Sequence, residues 1–240
     1  MNNLTPESMQ KFYDMTRKDT VIEIGERSYM LRDYEPVAEP IISCLDTHTL
    51  QGIVEAVIKD FEPGLKIPVH IHVYGPTQVA LETEAFGPFL QRHTLIKSKA
   101  YVTDFMFGNH YNQEEFTIAM LSQFIQNDDR DSLLKLASSI TTQTAGTVSD
   151  NGVSQSMEIK KGVSLREKVE VKNPFLLKPY RTFSEIEQPG SDFVFRVHDD
   201  DRRGITCSLH EADGAKWKIE AIENIKEFFA NKLPDVPVIA

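Results

Sequence analysis

The chain has 240 residues, a formal net charge of −10 and two cysteines. That length can bury a core large enough to fold without a stapling metal or disulfide, and the acidic balance disfavours unspecific binding to a polyanion. Cys44 and Cys207 lie far apart and form neither a disulfide framework nor a CxxC metal site, so the simple reading makes both of them small buried apolar side chains. Residues 1–18 carry both signs of charge with no apolar signal core, and no apolar run reaches the roughly 18 residues of a membrane span. The expectation is a soluble, cytoplasmic protein.

Residues 1–18 read as a short helix or a mobile arm, with Thr5-Pro6-Glu7 as its start. Residues 20–31 read as a β-hairpin turning at Gly25-Glu26-Arg27. Residues 47–61 carry Leu50, Val54, Val57, Ile58 and Phe61 at helical spacing, with Thr47 or Asp46 as the cap and Glu62-Pro63-Gly64 as the stop. Three strands follow, at 67–74, 77–83 and 94–102, and they suggest an antiparallel meander with one wet face. The clearest helix spans 112–126, with Phe116, Ala119, Met120, Gln123 and Phe124 on one face and Glu114 and Glu115 in its first turn.

A polar break at Asn127-Asp128-Asp129-Arg130 precedes a short helix at 131–140. Residues 141–148 and 153–159 read as strands joined through an Asn151-Gly152 turn, and 163–171 as another strand. Residues 175–187 look extended and irregular. Strands at 192–198 and 204–211 are joined by Asp199-Asp200-Asp201-Arg202-Arg203. The last helix runs over about 215–233, with Trp217, Ile219, Ile222, Ile225, Phe228 and Phe229 as its apolar face. Strand runs and helix runs are segregated. This predicts an α+β fold with antiparallel sheets and helices packed on one face, with room for two subdomains. The divisions are an arm at 1–19 and halves at 20–126 and 127–240, unless the two halves form one continuous domain.

Few residues point to chemistry. His70 and His72, two apart on a strand, point the same way, as paired metal ligands do. A site needs further ligands, and the spacing selects none among His93, Asp104 and His110, so the plain reading puts both histidines on the wet face. Asp199-Asp200-Asp201 suits a charged turn better than a cation loop. There is no GxSxG, phosphate-binding glycine loop, HExxH or zinc-finger spacing. No cofactor is implied. Residues 158–181 form the one basic stretch, holding Lys160, Lys161, Arg166, Lys168, Lys172, Lys178 and Arg181. The Pro179–Pro189 segment sets Tyr180, Arg181 and Phe183 among acids, either as an anion or base clamp or as a brace in which Arg181 pairs with Glu185 or Glu187.

Several blocks carry a resemblance: Phe107-Gly108-Asn109-His110-Tyr111-Asn112-Gln113-Glu114-Glu115-Phe116 running to Gln123-Phe124, the turn Asp150-Asn151-Gly152-Val153-Ser154-Gln155, Asn173-Pro174-Phe175 through Pro179-Tyr180-Arg181-Thr182-Phe183 to Gln188-Pro189, and Ala212-Asp213-Gly214-Ala215-Lys216-Trp217. In these the chain resembles the YfdQ-like family of phage and prophage proteins, domain of unknown function 2303, over roughly residues 50–233. The resemblance implies an accessory protein of a tailed phage and brings no catalytic residues with it.

Two readings follow. One is a non-enzymatic interaction protein acting on a host or phage protein in the infected cell, with a homo-oligomer open to it. The other is a nucleic-acid or nucleotide binder, in its enzymatic form a phosphoesterase. It would use Arg92, Lys97, Lys99, Lys160, Lys161, Tyr180 and Arg181, with His70 and His72 as metal ligands.

Overall fold

The computed structural model describes residues 5–16, 21–24, 27–30, 43–59, 67–87, 90–139, 148–150, 155–161, 165–200 and 204–240, with backbone alone at 12–16, 21–24, 27–30, 148–150, 155–161, 165–170 and 199–200. In chain order the elements are α1 (Pro6–Thr16), β1 (Val21–Ile24), β2 (Arg27–Met30), β3 (Leu45–Thr47), α2 (Leu50–Ile58), β4 (Val69–Gly75), β5 (Gln78–Thr83) and β6 (Thr94–Lys99). There follow α3 (Gln113–Gln123), α4 (Asp128–Ser139), β7 (Val148–Asp150), β8 (Gln155–Lys161), β9 (Leu165–Glu170) and β10 (Phe175–Leu177). The last are β11 (Ser191–Asp200), β12 (Gly204–Glu211), α5 (Lys216–Lys232) and β13 (Val238–Ile239). The fold is α+β, as the segregated pattern predicts.

The central sheet has the order β13-β4-β5-β6-β3. Its middle is the expected meander, since β4, β5 and β6 pair antiparallel. Both margins differ from the expectation: β13 joins β4, and β3 joins β6, in parallel. Strands of two or three residues show no periodicity, so the sequence pattern could not reveal them. One face of this sheet is apolar. Ile71 and Val73 of β4, Val79 and Leu81 of β5 and Ile96 of β6 pack with Leu50, Ile53 and Val54 of α2 and with Ile225 and Phe229 of α5.

The α2 helix begins two to three residues later than its apolar spacing suggests, because residues 45–47 are drawn into β3. Its cap is Thr49, whose hydroxyl accepts the Gly52 N–H at 3.1 Å, in place of Thr47 or Asp46. Glu185 adds a second cap from far along the chain. Its carboxylate accepts the N–H groups of Leu50 and Gln51 at 2.7 and 3.3 Å, where the helix dipole favours negative charge.

The other large core gathers Phe105, Phe116, Met120, Phe124, Leu133, Phe175, Phe193, Phe195 and Leu209. It lies between the sheet β10-β11-β12 and helices α3 and α4. Residues 108–111 extend this sheet past β12: Gly108 donates to the Leu209 carbonyl, and Tyr111 exchanges both backbone bonds with Cys207. The α3 start is a capping box, in which Asn112 accepts the Glu115 N–H and Glu115 accepts that of Asn112. The polar run 127–130 is the opening turn of α4, with Asn127 accepting the Arg130 N–H. On α5 the buried stripe is Trp217, Ala221, Ile225 and Phe229, and Ile219 is exposed. The predicted strand at 141–148 falls outside the described residues, except for Val148 in β7.

Candidate functional site

The register of the central sheet brings several predicted site residues together. Residues paired across strands share a face. Ile239, His72, Ala80, Lys97 and Asp46 therefore make one row across all five strands, on the face turned away from α2 and α5. The neighbouring rows add His70 with Glu82 and Gln78 with Lys99. Lys97 and Lys99 are exposed, and Arg92 stands exposed just before β6.

His70 is not on a wet face. It is 1 % exposed, and its ring lies between two carboxylates, 3.6 Å from Glu82 and 3.4 Å from Glu84. Glu82 is the hub. It accepts the Tyr74 hydroxyl at 2.5 Å and the Thr94 hydroxyl at 3.3 Å, and His72 Nδ1 lies 3.4 Å away. Burial raises the Glu82 carboxyl, and the hydrogen bonds from Tyr74, His72 and Thr94 outweigh it, leaving the group below its ordinary value. The same contact, with burial second, pushes the Tyr74 phenol up to about 12. The Tyr74 ring rests against His72 at 4.0 Å between centroids. Among the described residues no group of three or more His, Cys, Asp or Glu side chains is arranged to hold a metal ion. His72 helps to order the Glu82 carboxylate, while both His70 ring nitrogens are buried beside the two carboxylates with no hydrogen bond among the described residues.

Arg181 is a brace, and its partner is not the expected one. Its guanidinium donates to Glu211 and to the Ser191 hydroxyl and lies 4.0 Å over the Trp217 ring. Burial lowers its pKa, opposed by Glu211 and Asp213. Glu185 is occupied at the α2 cap, and Glu187 pairs with Lys178 at 2.6 Å. Gln188 fixes the backbone of the segment, accepting from Arg181 and Thr182 and donating to the Phe183 carbonyl. Tyr180 keeps an exposed ring. Lys172, also of the basic stretch, pairs with Asp129 at 2.8 Å. Lys160 and Lys161 lie in β8, and their side chains fall outside the described residues. Of the cysteines, Cys207 is buried and Cys44 is exposed, against the expectation that both are buried.

Sequence reasoning missed a cavity of about 800 Å³ between residues 109–112, α3 and β12. Its wall includes Asn109, His110, Glu115, Ile118, Gln123 and Thr206. Thr206 is buried, and its hydroxyl lies 3.1 Å from His110 Nδ1. Beside it His110 meets His198 at 4.2 Å between ring centroids, and the Ser208 hydroxyl stands 3.3 Å from His198 and 3.1 Å from His210. The register explains the grouping, since His198 pairs with Thr206, and residues 206, 208 and 210 alternate onto one face of β12. The unusual density of polar residues at 108–115 was the available signal.

Large apolar side chains are exposed at Tyr101, Val102, Met106, Ile118, Leu121 and Tyr180. Of these Ile118 lines the cavity, and the Tyr101 ring is stacked on His48 at 4.2 Å between centroids. The segments that carry them are tied together. Thr103 donates to the Tyr180 carbonyl, and Tyr180 donates to the Gln123 carbonyl at the end of α3. The chain matches no family model, no curated protein and no solved structure.

Proposed function

We propose that the chain is a non-enzymatic accessory protein of a phage or prophage, which acts by docking on a host or phage protein in the infected cell. The observation that supports this is the apolar surface on three hydrogen-bonded segments. Leu121 is 56 % exposed and Tyr180 43 %, alongside Tyr101, Val102, Met106 and Ile118. Single exposed apolar side chains are ordinary, but a group that includes two tyrosines and a methionine has residue types enriched in interface cores. The two sharpest candidates for chemistry also have structural work. Arg181 braces α5 against β11 and β12, and His70 is enclosed by Glu82 and Glu84.

The test is partner capture with two variants. Leu121→Glu with Tyr180→Glu removes the surface, and Ile219→Glu, on the exposed face of α5, is the control. A partner retained by wild type and control, lost from the double variant, and reconstituted from purified components supports the reading. A partner held equally by all three contradicts it. A mass that shows a dimer, broken by the double variant, would assign the surface to a second copy of this chain.

One observation favours nucleic-acid or nucleotide binding as a second reading. Lys97, Lys99, His72 and the exposed Tyr74 share a sheet face, an arrangement on which bases stack and phosphates pair. Glu82 at its centre and the net charge of −10 oppose it. Binding of single-stranded DNA or RNA that weakens steeply with salt and is lost in Lys97→Glu with Lys99→Glu would support this reading. Binding insensitive to salt would exclude it.

A further inference from the structure

The surface around Leu121 and Tyr180 has a charge as well as a shape, and together they select an occupant. Residues 100–129 carry Asp104, Glu114, Glu115, Asp128 and Asp129, with no lysine or arginine among them. Two of these acids are spent within the fold: Glu115 closes the α3 capping box, and Asp129 holds Lys172. Asp104 and Glu114 are exposed, and among the described residues neither has a hydrogen bond or an ion pair. Lys178, the cation of the Tyr180 segment, is neutralised by Glu187 at 2.6 Å.

The shape comes from α3. Glu114, Ile118 and Leu121 follow at intervals of four and three residues, so they share one outward stripe about 10 Å long. Exposed Met106 joins the stripe through Tyr111, whose hydroxyl accepts the Met106 N–H and which lines the same cavity as Ile118. A strand laid along this wall finds the Thr103 and Tyr180 N–H groups already bonded. A helix satisfies its own backbone and needs only a stripe to pack on. A second copy of the chain would set Asp104 and Glu114 against themselves, and a nucleic acid or an anionic lipid surface would meet the same repulsion.

We infer that the docking surface takes an amphipathic helix of the partner protein, with its apolar side chains on Ile118, Leu121 and Tyr180 and its lysines or arginines against Asp104 and Glu114. This occupant rests on the docking reading, and the two fail separately. A captured partner lost from Leu121→Glu with Tyr180→Glu, yet held by Asp104→Lys with Glu114→Lys, keeps the docking surface and overturns the cationic helix.

The experiment titrates the purified full chain with a labelled synthetic helix of about 18 residues, leucine on one face and lysine on the other, by fluorescence anisotropy. A counterpart with glutamate in place of lysine is titrated beside it. The lysine peptide should bind at least about tenfold more tightly than the glutamate peptide, and should weaken about tenfold as salt rises from about 0.05 to about 0.5 M. Asp104→Lys with Glu114→Lys should weaken it about tenfold, as should Ile118→Ser with Leu121→Ser. Glu223→Lys with Glu227→Lys, on the exposed face of α5, should leave it unchanged. All of these positions are exposed, so the substitutions leave the core intact. No binding of the lysine peptide at about millimolar concentration would overturn the inference. So would equal binding of the two peptides, or an equal loss in the α5 variant. A dimer of the chain broken by Ile118→Ser with Leu121→Ser would place a second copy on the surface and overturn it as well.

Discussion

Replacing Arg181 with methionine tests whether the Tyr180-Arg181 segment is a brace. Arg181 is 7 % exposed and ties three elements together: Ser191 at the start of β11, Glu211 at the end of β12, and Trp217 in the first turn of α5. Removing one partner of a buried pair costs about 3–5 kcal/mol, because the other charge is left uncompensated. The Glu211 side chain is 31 % exposed, so water can reach the stranded carboxylate and the lower end of that range applies. The lost cation–π contact adds about 0.5–2 kcal/mol, and the methionine chain recovers part of the packing. The net loss is about 3 kcal/mol, or about 6–12 °C in Tm for a chain of this size. Urea unfolding followed by the fluorescence of Trp217, the one tryptophan, measures it directly. Glu211→Gln and the double variant complete the cycle, with a coupling of about 1–2 kcal/mol expected. An Arg181→Met protein within about 1 kcal/mol of wild type would refute the brace.

Native protein should react with a thiol reagent at Cys44 alone, because burial pushes the Cys207 thiol up to about 12; two reactive thiols before unfolding would contradict the packing of β12. Acid should destabilise the fold through Glu82, Asp129 and Asp213, each held below its ordinary value. For Asp213 burial pushes up, and the bonds from Ser191, Ala215 and Trp217 together with the Arg181 charge prevail; for Asp129 the Lys172 bond leads, then the Leu176 N–H. A depressed folded pKa contributes stability that is complete above the unfolded value, near about 4, and is lost as pH falls through the folded one. Urea midpoints should therefore hold down to about pH 5 and fall below it, with a smaller fall in Asp213→Asn; a flat wild-type profile to about pH 3 would contradict this. Glu185→Ala should cost about 1 kcal/mol by uncapping α2, measured by urea unfolding, and no loss would mean the cap is not formed. Phe229→Ala, which empties a fully buried site between α5 and the central sheet, should cost about 3–5 kcal/mol in the same assay.

Local pattern carried most of the fold. The hairpin at 21–30, the meander, the α3 capping acids and the β11-β12 pair were legible because periodicity and turn chemistry act over a few residues. What was hidden depends on partners far along the chain. Alternation put His70 on a wet face, and the side chains of Glu82 and Glu84 enclose it there. The cap of α2 is shared with Glu185, more than a hundred residues away. Arg181 finds Glu211 on another strand, where nearby Glu185 and Glu187 were the local guess. The cavity was invisible for the same reason: its wall joins residues 109–123 to Thr206. Lys97 and Lys99 were recognisable as exposed cations, but only the register set them on the face that holds His72.

The central claim is that the surface around Leu121 and Tyr180 holds a protein partner, and quantitative capture from infected cells tests it most directly. Wild type, Leu121→Glu with Tyr180→Glu, and Ile219→Glu are compared as folded proteins of equal stability. The account predicts one protein enriched by wild type and by the α5 variant, at least tenfold depleted in the double variant, as expected when two interface anchors are lost, and rebound by wild type when purified. Identical profiles from all three would contradict it.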